Sequence, residues 1–336
     1  MLSLGPSKVI APCRPWPRTV IGMDAKDQAL VALGRELQSR NYRFTTITPA
    51  SHRRVNNRAG NEVATSLEGV FGWSRPFRRT SLPEQVVALL DDAGEMEASG
   101  SLLRSKVRFS TLGAQLFVHS AFPTDQADAV FFGPDTYRFV RSLAQSLDRF
   151  TARARCRIID IGCGSGAGGL CAAARLAGHD PEIVLADINP RALRFSRING
   201  AINGVAQVET LESDLFANVP GRADLIIANP PYLVDPLGRL YRHGGGELGF
   251  DLSLRVIEQG IDRLAPGGRL FVYTGSPVID GTQMLLQALS ARLSQRGCSF
   301  AYDEIDPDVF GEELENPPYD RADRIAAVAI TVDAGR

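Results

Sequence analysis

The sequence predicts an α/β protein in which a sheet wrapped by helices follows a smaller α+β region. Three observations carry that reading. From Ala154 onward strand-like and helix-like stretches alternate, the signature of a parallel sheet with helices on both faces. Two short apolar runs, 182–187 ending in Asp187 and 223–228 running into Asn229, stop as parallel strands stop at a ligand-binding edge. A third, 157–161, runs into Gly162-Cys163-Gly164-Ser165-Gly166-Ala167-Gly168-Gly169, a glycine-dense turn opening a helix.

The chain has 336 residues, enough for two domains, and 37 Lys and Arg against 38 Asp and Glu. No apolar run approaches the roughly 20 residues of a membrane span. Five cysteines without zinc spacing and four scattered histidines argue against a metal site. Reduced cysteines point to a cytoplasmic protein. The expected organisation is a disordered extension at 1–22, an α+β substrate-recognition domain at 23–125, and the sheet domain at 126–336.

In the first domain, Met23 opens a helix with Leu30, Leu33 and Leu37 on one face. Thr48-Pro49 reads as a cap and first-turn proline for a second helix. Another helix is expected from Pro83 to Ala98, burying Val86, Leu89 and Leu90. Alternating runs at 106–110 and 115–119 form a hairpin. Helices followed by a hairpin suggest a winged-helix-like unit. Residues 1–80 hold 13 Lys or Arg against 5 Asp or Glu, either a solvated basic face or a footprint for RNA or an acidic partner. Asp128 to Tyr137 then precedes a helix burying Val140, Leu143, Leu147 and Phe150, with Asp135 or Thr136 as its cap.

Residues 164–169 fit the dinucleotide pattern G-x-G-x-x-G, and Asp187 closes the next strand where an acid accepts from ribose hydroxyls. The third strand decides between cofactors, because Ala228 is followed by Asn229-Pro230-Pro231-Tyr232. With that tetrapeptide the sequence resembles class I S-adenosylmethionine-dependent methyltransferases. The group includes the release-factor glutamine methyltransferases and enzymes acting on exocyclic amines of nucleobases. The likeness covers about residues 128–335, including 192–205, Ser213-Asp214-Leu215-Phe216 and the glycine run 244–251.

The resemblance implies a seven-stranded Rossmann-like sheet, its fifth strand at 269–273 after Gly267-Gly268 and its last, antiparallel one at 324–332. It implies S-adenosyl-L-methionine as cofactor. Gly162, Gly164 and Gly166 would run under the methionine part, with Asp160 below the turn. Asp187 and Ile188 would meet the ribose end, Asp214 and Leu215 the adenine, and Asn229 would border the sulfonium. Phe132, Pro134, Asp135 and Thr136 fall where the glutamine enzymes carry a substrate loop, although Gly133 replaces their arginine.

Asn229 to Tyr232 would supply what methylation of a planar nitrogen needs. The Asn229 side-chain oxygen and the Pro230 carbonyl can accept both protons of an NH2 group, aiming its lone pair by orientation. Pro230 and Pro231 stiffen the turn, and Tyr232 can stack on a planar acceptor. The reading places a glutamine amide of a protein first, ahead of a nucleobase amine in RNA or DNA, a small molecule, or a non-catalytic binding role. Asn316-Pro317-Pro318-Tyr319 repeats the tetrapeptide after an acidic loop; with no strand leading in, nothing is expected to hold it beside the cofactor.

Overall fold

The computed structural model describes residues 23–205, 208–296 and 299–335; the expected extension at 1–22 lies outside them. Helix α1 (Ala25–Ser39) starts where Asp24 accepts from the Asp27 amide at 2.8 Å, and it buries Leu30, Leu33 and Leu37 completely. Thr48 caps α2 (Pro49–Asn56) as its sequence requires. After α3 (Leu67–Phe71), α4 (Glu84–Asp92) stops short of the expected Ala98. Gly94 turns the chain at φ +67°, and Met96–Ser99 (β1) pairs instead with Leu102–Ser105 (β2). The expected hairpin forms from β3 (Val107–Leu112) and β4 (Gln115–Ser120), its turn reduced to Gly113-Ala114.

The second region runs α5 (Pro134–Leu147), β5 (Arg157–Ile161), α6 (Ala167–Arg175), β6 (Glu182–Asp187), α7 (Pro190–Ile202), β7 (Val208–Glu212) and β8 (Ala223–Ala228). It continues α8 (Asp251–Asp262), β9 (Leu264–Ile279), β10 (Thr282–Gln283), α9 (Met284–Gln295), β11 (Ala301–Asp306) and β12 (Arg324–Asp333). Seven strands pair in the order β11-β12-β9-β8-β5-β6-β7, and short β10 adds to β9. β5 to β9 are parallel; β12 is antiparallel to β9, as expected, and β11 to β12. The strand expected at 269–273 is the middle of the longer β9. Gly267 and Gly268 lie inside it, near a register shift against β8, rather than in a turn before it. Strand residues alternate between two cores: Ile158, Leu225 and Phe271 face α5 and α6, while Ile159, Ile226 and Val272 face α8 and α9.

The two regions share a core through α7. Ala192, Phe195, Ile198 and Ile202 pack in the same cluster as Leu30, Leu33 and Val118. Asn199 is fully buried; its Oδ1 accepts from Val118 N at 2.7 Å, and its Nδ2 donates to Val118 O at 3.0 Å and to Ser165 O at 2.8 Å. One turn on, Asn203 makes the same pair of bonds to Leu116. Two asparagines thus satisfy an edge of β4 that no strand covers. Asn199→Ala should cost about 1–3 kcal/mol, the range for orphaned buried backbone groups. Half-buried Asn203→Ala should cost less, since water can reach its partners. Urea denaturation checks this; Asn199→Ala losing no more than Asn203→Ala contradicts it.

Candidate active site

One cavity of about 330 Å³ opens at the carboxyl ends of β5, β6 and β8, where strand order reverses about β5. The glycine turn forms its floor. Gly162 and Gly164 take φ +67° and +53°, and a Cβ built on either meets no atom within 4 Å, so the backbone itself lies open there. Gly166 behaves differently. It caps α6 at φ +78°, a Cβ on it would press on Ser196, Leu185 and Leu170, and it does not line the cavity. Its expected place under the cofactor is therefore corrected to a packing role.

Asp160, 2% exposed, accepts from the Gly169 amide at 2.7 Å, orienting the turn from below as expected. Burial pushes its carboxyl up to about 7. Asp187 accepts from Gly164 N at 2.8 Å through one oxygen and from Asn189 N at 2.9 Å through the other. Each oxygen has a second acceptor site, and the residue lines the cavity. Burial raises this carboxyl too, against the pull of those amides. Ile188 is 52% exposed at the rim. Asp214 is exposed, 3.7 Å from Arg255, on a turn that buried Leu215 holds at φ +51°.

Asn229 follows β8 at the cavity, half-buried, and its side chain makes no hydrogen bond to the protein among the described residues. Pro230 and Pro231 line the wall beside it. Tyr232 departs from expectation. It is buried, its hydroxyl donates to Asp135, and its ring meets Phe310 edge-on while filling the space beside Gly275. A ring fixed this way closes the cavity and is not free to swing onto an acceptor.

The loop at 131–137 is also rearranged. Phe132 points into the protein, packed on Phe117, His119 and Tyr137, and Phe131 lines the cavity in its place. Pro134 is the first residue of α5 and lies off the cavity. Neither Asp135 nor Thr136 is the N-cap. Gly133 is, and its amide donates to Thr136 Oγ1 at 3.2 Å. Asp135 and Thr136 do reach the cavity, but Asp135 is occupied by Tyr232 and by Tyr273 at 3.2 Å. Burial raises its carboxyl, opposed by those bonds and by Arg138. None of residues 244–251 lines the cavity; Gly244 packs so closely on Pro231, Tyr232 and Gly249 that no side chain fits.

A strap at 235–243 completes the rim. Buried Asp235 accepts from Arg239 N, Nε and Nη2 at 2.8, 3.0 and 2.6 Å, and these bonds hold its carboxyl below the usual range. Tyr241 lies parallel to Phe131 with ring centroids 5.7 Å apart and donates to Thr124 O at 3.0 Å. Sequence reasoning missed this strap, although the acid and arginine four residues apart were a local signal. Asn316 is exposed and outside the cavity, as expected. Tyr319 is not: it is 1% exposed, accepts from Val234 N at 2.9 Å and donates to Leu248 O at 3.2 Å, so the second tetrapeptide braces the first.

Open glycine backbone, a carboxylate closing β6 and another after β7 fit a ligand with an amino-acid end, ribose hydroxyls and an exocyclic amine, as S-adenosyl-L-methionine has. The cavity also lies within the usual range for such ligands, about 300–1,000 Å³. A family model described as Methyltransferase small domain matches residues 140–291. Release factor glutamine methyltransferase of Koribacter versatilis (strain Ellin345) is 31% identical over 169 residues, 46% of this chain and 58% of that protein. Its namesake from Deinococcus radiodurans is 30% identical over 162 residues, 44% of this chain and 55% of that one. Ribosomal RNA small subunit methyltransferase C of Enterobacter sp. (strain 638) is 32% identical over 126 residues, 37% of this chain and 32% of that one. The chain thus spans little more than half of the former relatives and a third of the latter.

Two outcomes follow from the carboxylates. Asp187→Ala should weaken S-adenosylmethionine by about 1.5–3 kcal/mol, the scale of hydrogen bonds to a charged group, and unchanged affinity in a calorimetric titration contradicts it. Asp160 has its folded value raised above the ordinary 3.8, so its contribution to stability is full below that value and lost as pH rises to about 7. Asp160→Asn, which keeps an acceptor for Gly169, should flatten that decline. Urea denaturation across this range checks it; a variant curve parallel to the parent's contradicts it.

Proposed function

We propose that this chain, built on a class I S-adenosylmethionine-dependent methyltransferase domain, transfers a methyl group to a planar NH2 nitrogen. The observation carrying the reading is Asn229, whose unengaged side-chain amide opens into the same cavity as the glycine turn and Asp187. The cofactor, when bound, supplies a methyl carbon already activated by its sulfonium. Gly162, Gly164, Asp187 and Asp214 would hold it. Asn229 Oδ1 and the Pro230 carbonyl would accept the two amine protons, fix the nitrogen's lone pair toward the cavity floor and stabilise positive charge growing on nitrogen.

Among acceptors, an exocyclic amine of a nucleobase is favoured over the glutamine amide that the sequence put first. The glutamine reading leaned on 131–137 and 244–251. Phe132 and Pro134 turn from the cavity, Asp135 is bound to two tyrosines, and 244–251 supports the tetrapeptide from behind. What faces the mouth is the flat pair Phe131 and Tyr241, suited to a base taken out of its stack. In the domain at 23–125, for which substrate recognition is proposed, Arg53, Arg54 and Arg58 are exposed and make no ion pair among the described residues.

Labelled methyl from S-adenosylmethionine, followed through a fractionated lysate, tests the acceptor: label in RNA supports the reading, and label in protein restores the glutamine one. Asn229→Ala should cut turnover about 10²–10³-fold, as loss of one preorganised polar group does, with cofactor affinity nearly unchanged. Asn316→Ala should change turnover less than about tenfold, since exposed-loop changes stay within about ±0.5 kcal/mol. A dead Asn316 variant with its fold intact would move the active site elsewhere.

A further inference from the structure

A second cavity, of about 90 Å³, adjoins the first; Ala129 lines both. It lies between the β1–β2 hairpin, the segment 120–126 and the first turn of α7. Arg104, Lys106 and Arg191 face it, with hydroxyls from Ser105, Ser120 and Thr124 and one carboxylate, Glu97. Arg191 is engaged by Asp128 at 3.4 Å and Gln126 at 2.5 Å. Arg104 and Lys106 make no ion pair among the described residues, although Glu97 stands opposite Arg104 in the strand register. Arg104 Nε is buried with no hydrogen-bond partner, a donor left without an acceptor.

The groove also leads outward. Phe122 on its wall packs against His52 of α2, with ring centroids 4.2 Å apart, and α2 carries Arg53 and Arg54 on its exposed side. The two cavities thus lie on either side of buried Ala129, and the wall of the second packs on the helix that carries Arg53 and Arg54. We infer that this groove binds a backbone phosphate of a single-stranded nucleic acid whose neighbouring base enters the active-site cavity. The inference rests on the nucleobase reading above and adds a site whose free cations, Arg104 and Lys106, lie outside residues 140–291.

A phosphodiester fits what the groove offers. Its two unesterified oxygens can accept from the Arg104 fork and the Lys106 ammonium, whereas the Ser105 hydroxyl is spent on Val107 O at 2.7 Å. A divalent cation does not fit, because the cations outnumber the single carboxylate.

The test is anisotropy of a labelled mixed-sequence RNA of about twelve nucleotides, a length within the span of single-strand grooves, across a salt series. Arg104→Gln with Lys106→Gln should weaken binding at low salt at least about tenfold. It should also lower the slope of log K against log salt by about 0.7, the loss of one single-strand phosphate contact. Methyl transfer to RNA should show a raised KM with kcat kept. If the parent binds RNA and the double variant binds with the same slope, the groove assignment fails while the nucleobase reading stands. If the parent does not bind RNA, the nucleobase reading fails first. Polyglutamate displacing the RNA at equal charge would point to an acidic protein and overturn the phosphate assignment. Should the double variant unfold, Lys106→Glu alone must weaken binding more than Lys106→Gln; equality of the two overturns it.

Discussion

Two tyrosine hydroxyls and an arginine converge on one buried carboxylate, Asp135, and the geometry of the candidate site's wall depends on that convergence. Tyr232 donates from the tetrapeptide, Tyr273 from the middle of β9 at 3.2 Å, and Arg138 from the next turn of α5 at 3.1 Å. Arg138 then reaches Asp306 at the end of β11, 2.8 Å away. A carboxylate this deep is costly unless its oxygens are filled, and here three donors fill them. Its place in the first turn of α5 adds the favourable end of the helix dipole. The segment after β8 is consequently positioned by the sheet. Gly275 takes part by omission, since a Cβ there would collide with the Tyr232 ring.

The N-terminal region is fastened to the same cavity by a different means. Asn199 bonds the edge of β4 and the Ser165 carbonyl together, so one side chain joins the N-terminal hairpin to the glycine turn. Its helix begins at Pro190, directly after Asn189, whose amide holds Asp187. A single rigid helix thus sets both the floor of the cavity and the surface beside its mouth. Arg194 strengthens the attachment, pairing Asp27 at 2.6 Å and Glu95 at 2.7 Å from the far side. Ion pairs that are largely buried and shared by two acids retain more of their strength than isolated surface pairs.

What the sequence disclosed and what it hid divide along the range of the forces involved. The strands 157–161, 182–187 and 223–228 were legible because burial on both faces demands continuous apolar runs. Asp187 and Asn229 were legible because each closes such a run, and Asp160 because it interrupts one just before the glycine turn; position along a strand is local information. Phe131 and Phe132 were interchanged because adjacent residues of an extended segment face opposite ways, and only tertiary packing chooses the parity. Gly166 was misassigned because a left-handed φ serves a helix cap as well as a ligand. The β1–β2 hairpin stayed hidden because Met96-Glu97-Ala98-Ser99 carries little apolar patterning and continues a helical stretch. Tyr319 escaped notice because its partners, Val234 and Leu248, lie about seventy to eighty-five residues away along the chain.

The two copies of Asn-Pro-Pro-Tyr show how context separates one local chemistry into two roles. Both tyrosines are buried and both spend their hydroxyls on the same wall: Tyr232 on Asp135, Tyr319 on the amide of Val234, two residues beyond Tyr232. The asparagines diverge. Asn229 leaves β8, whose six residues are all buried, and emerges at the edge of the sheet where the cavity opens. Asn316 leaves the short 3-10 turn Gly311–Glu315, which has no buried residue, and projects outward. A proline pair restricts the backbone of both turns, so the presence of the pair does not distinguish them. The difference lies in where the preceding backbone delivers the asparagine, and a buried strand delivers it to a fixed point while a surface turn does not. Phe310, at the head of that turn, lines the cavity and meets Tyr232 edge-on. The second copy therefore serves the site from behind, as the support that keeps the first in place.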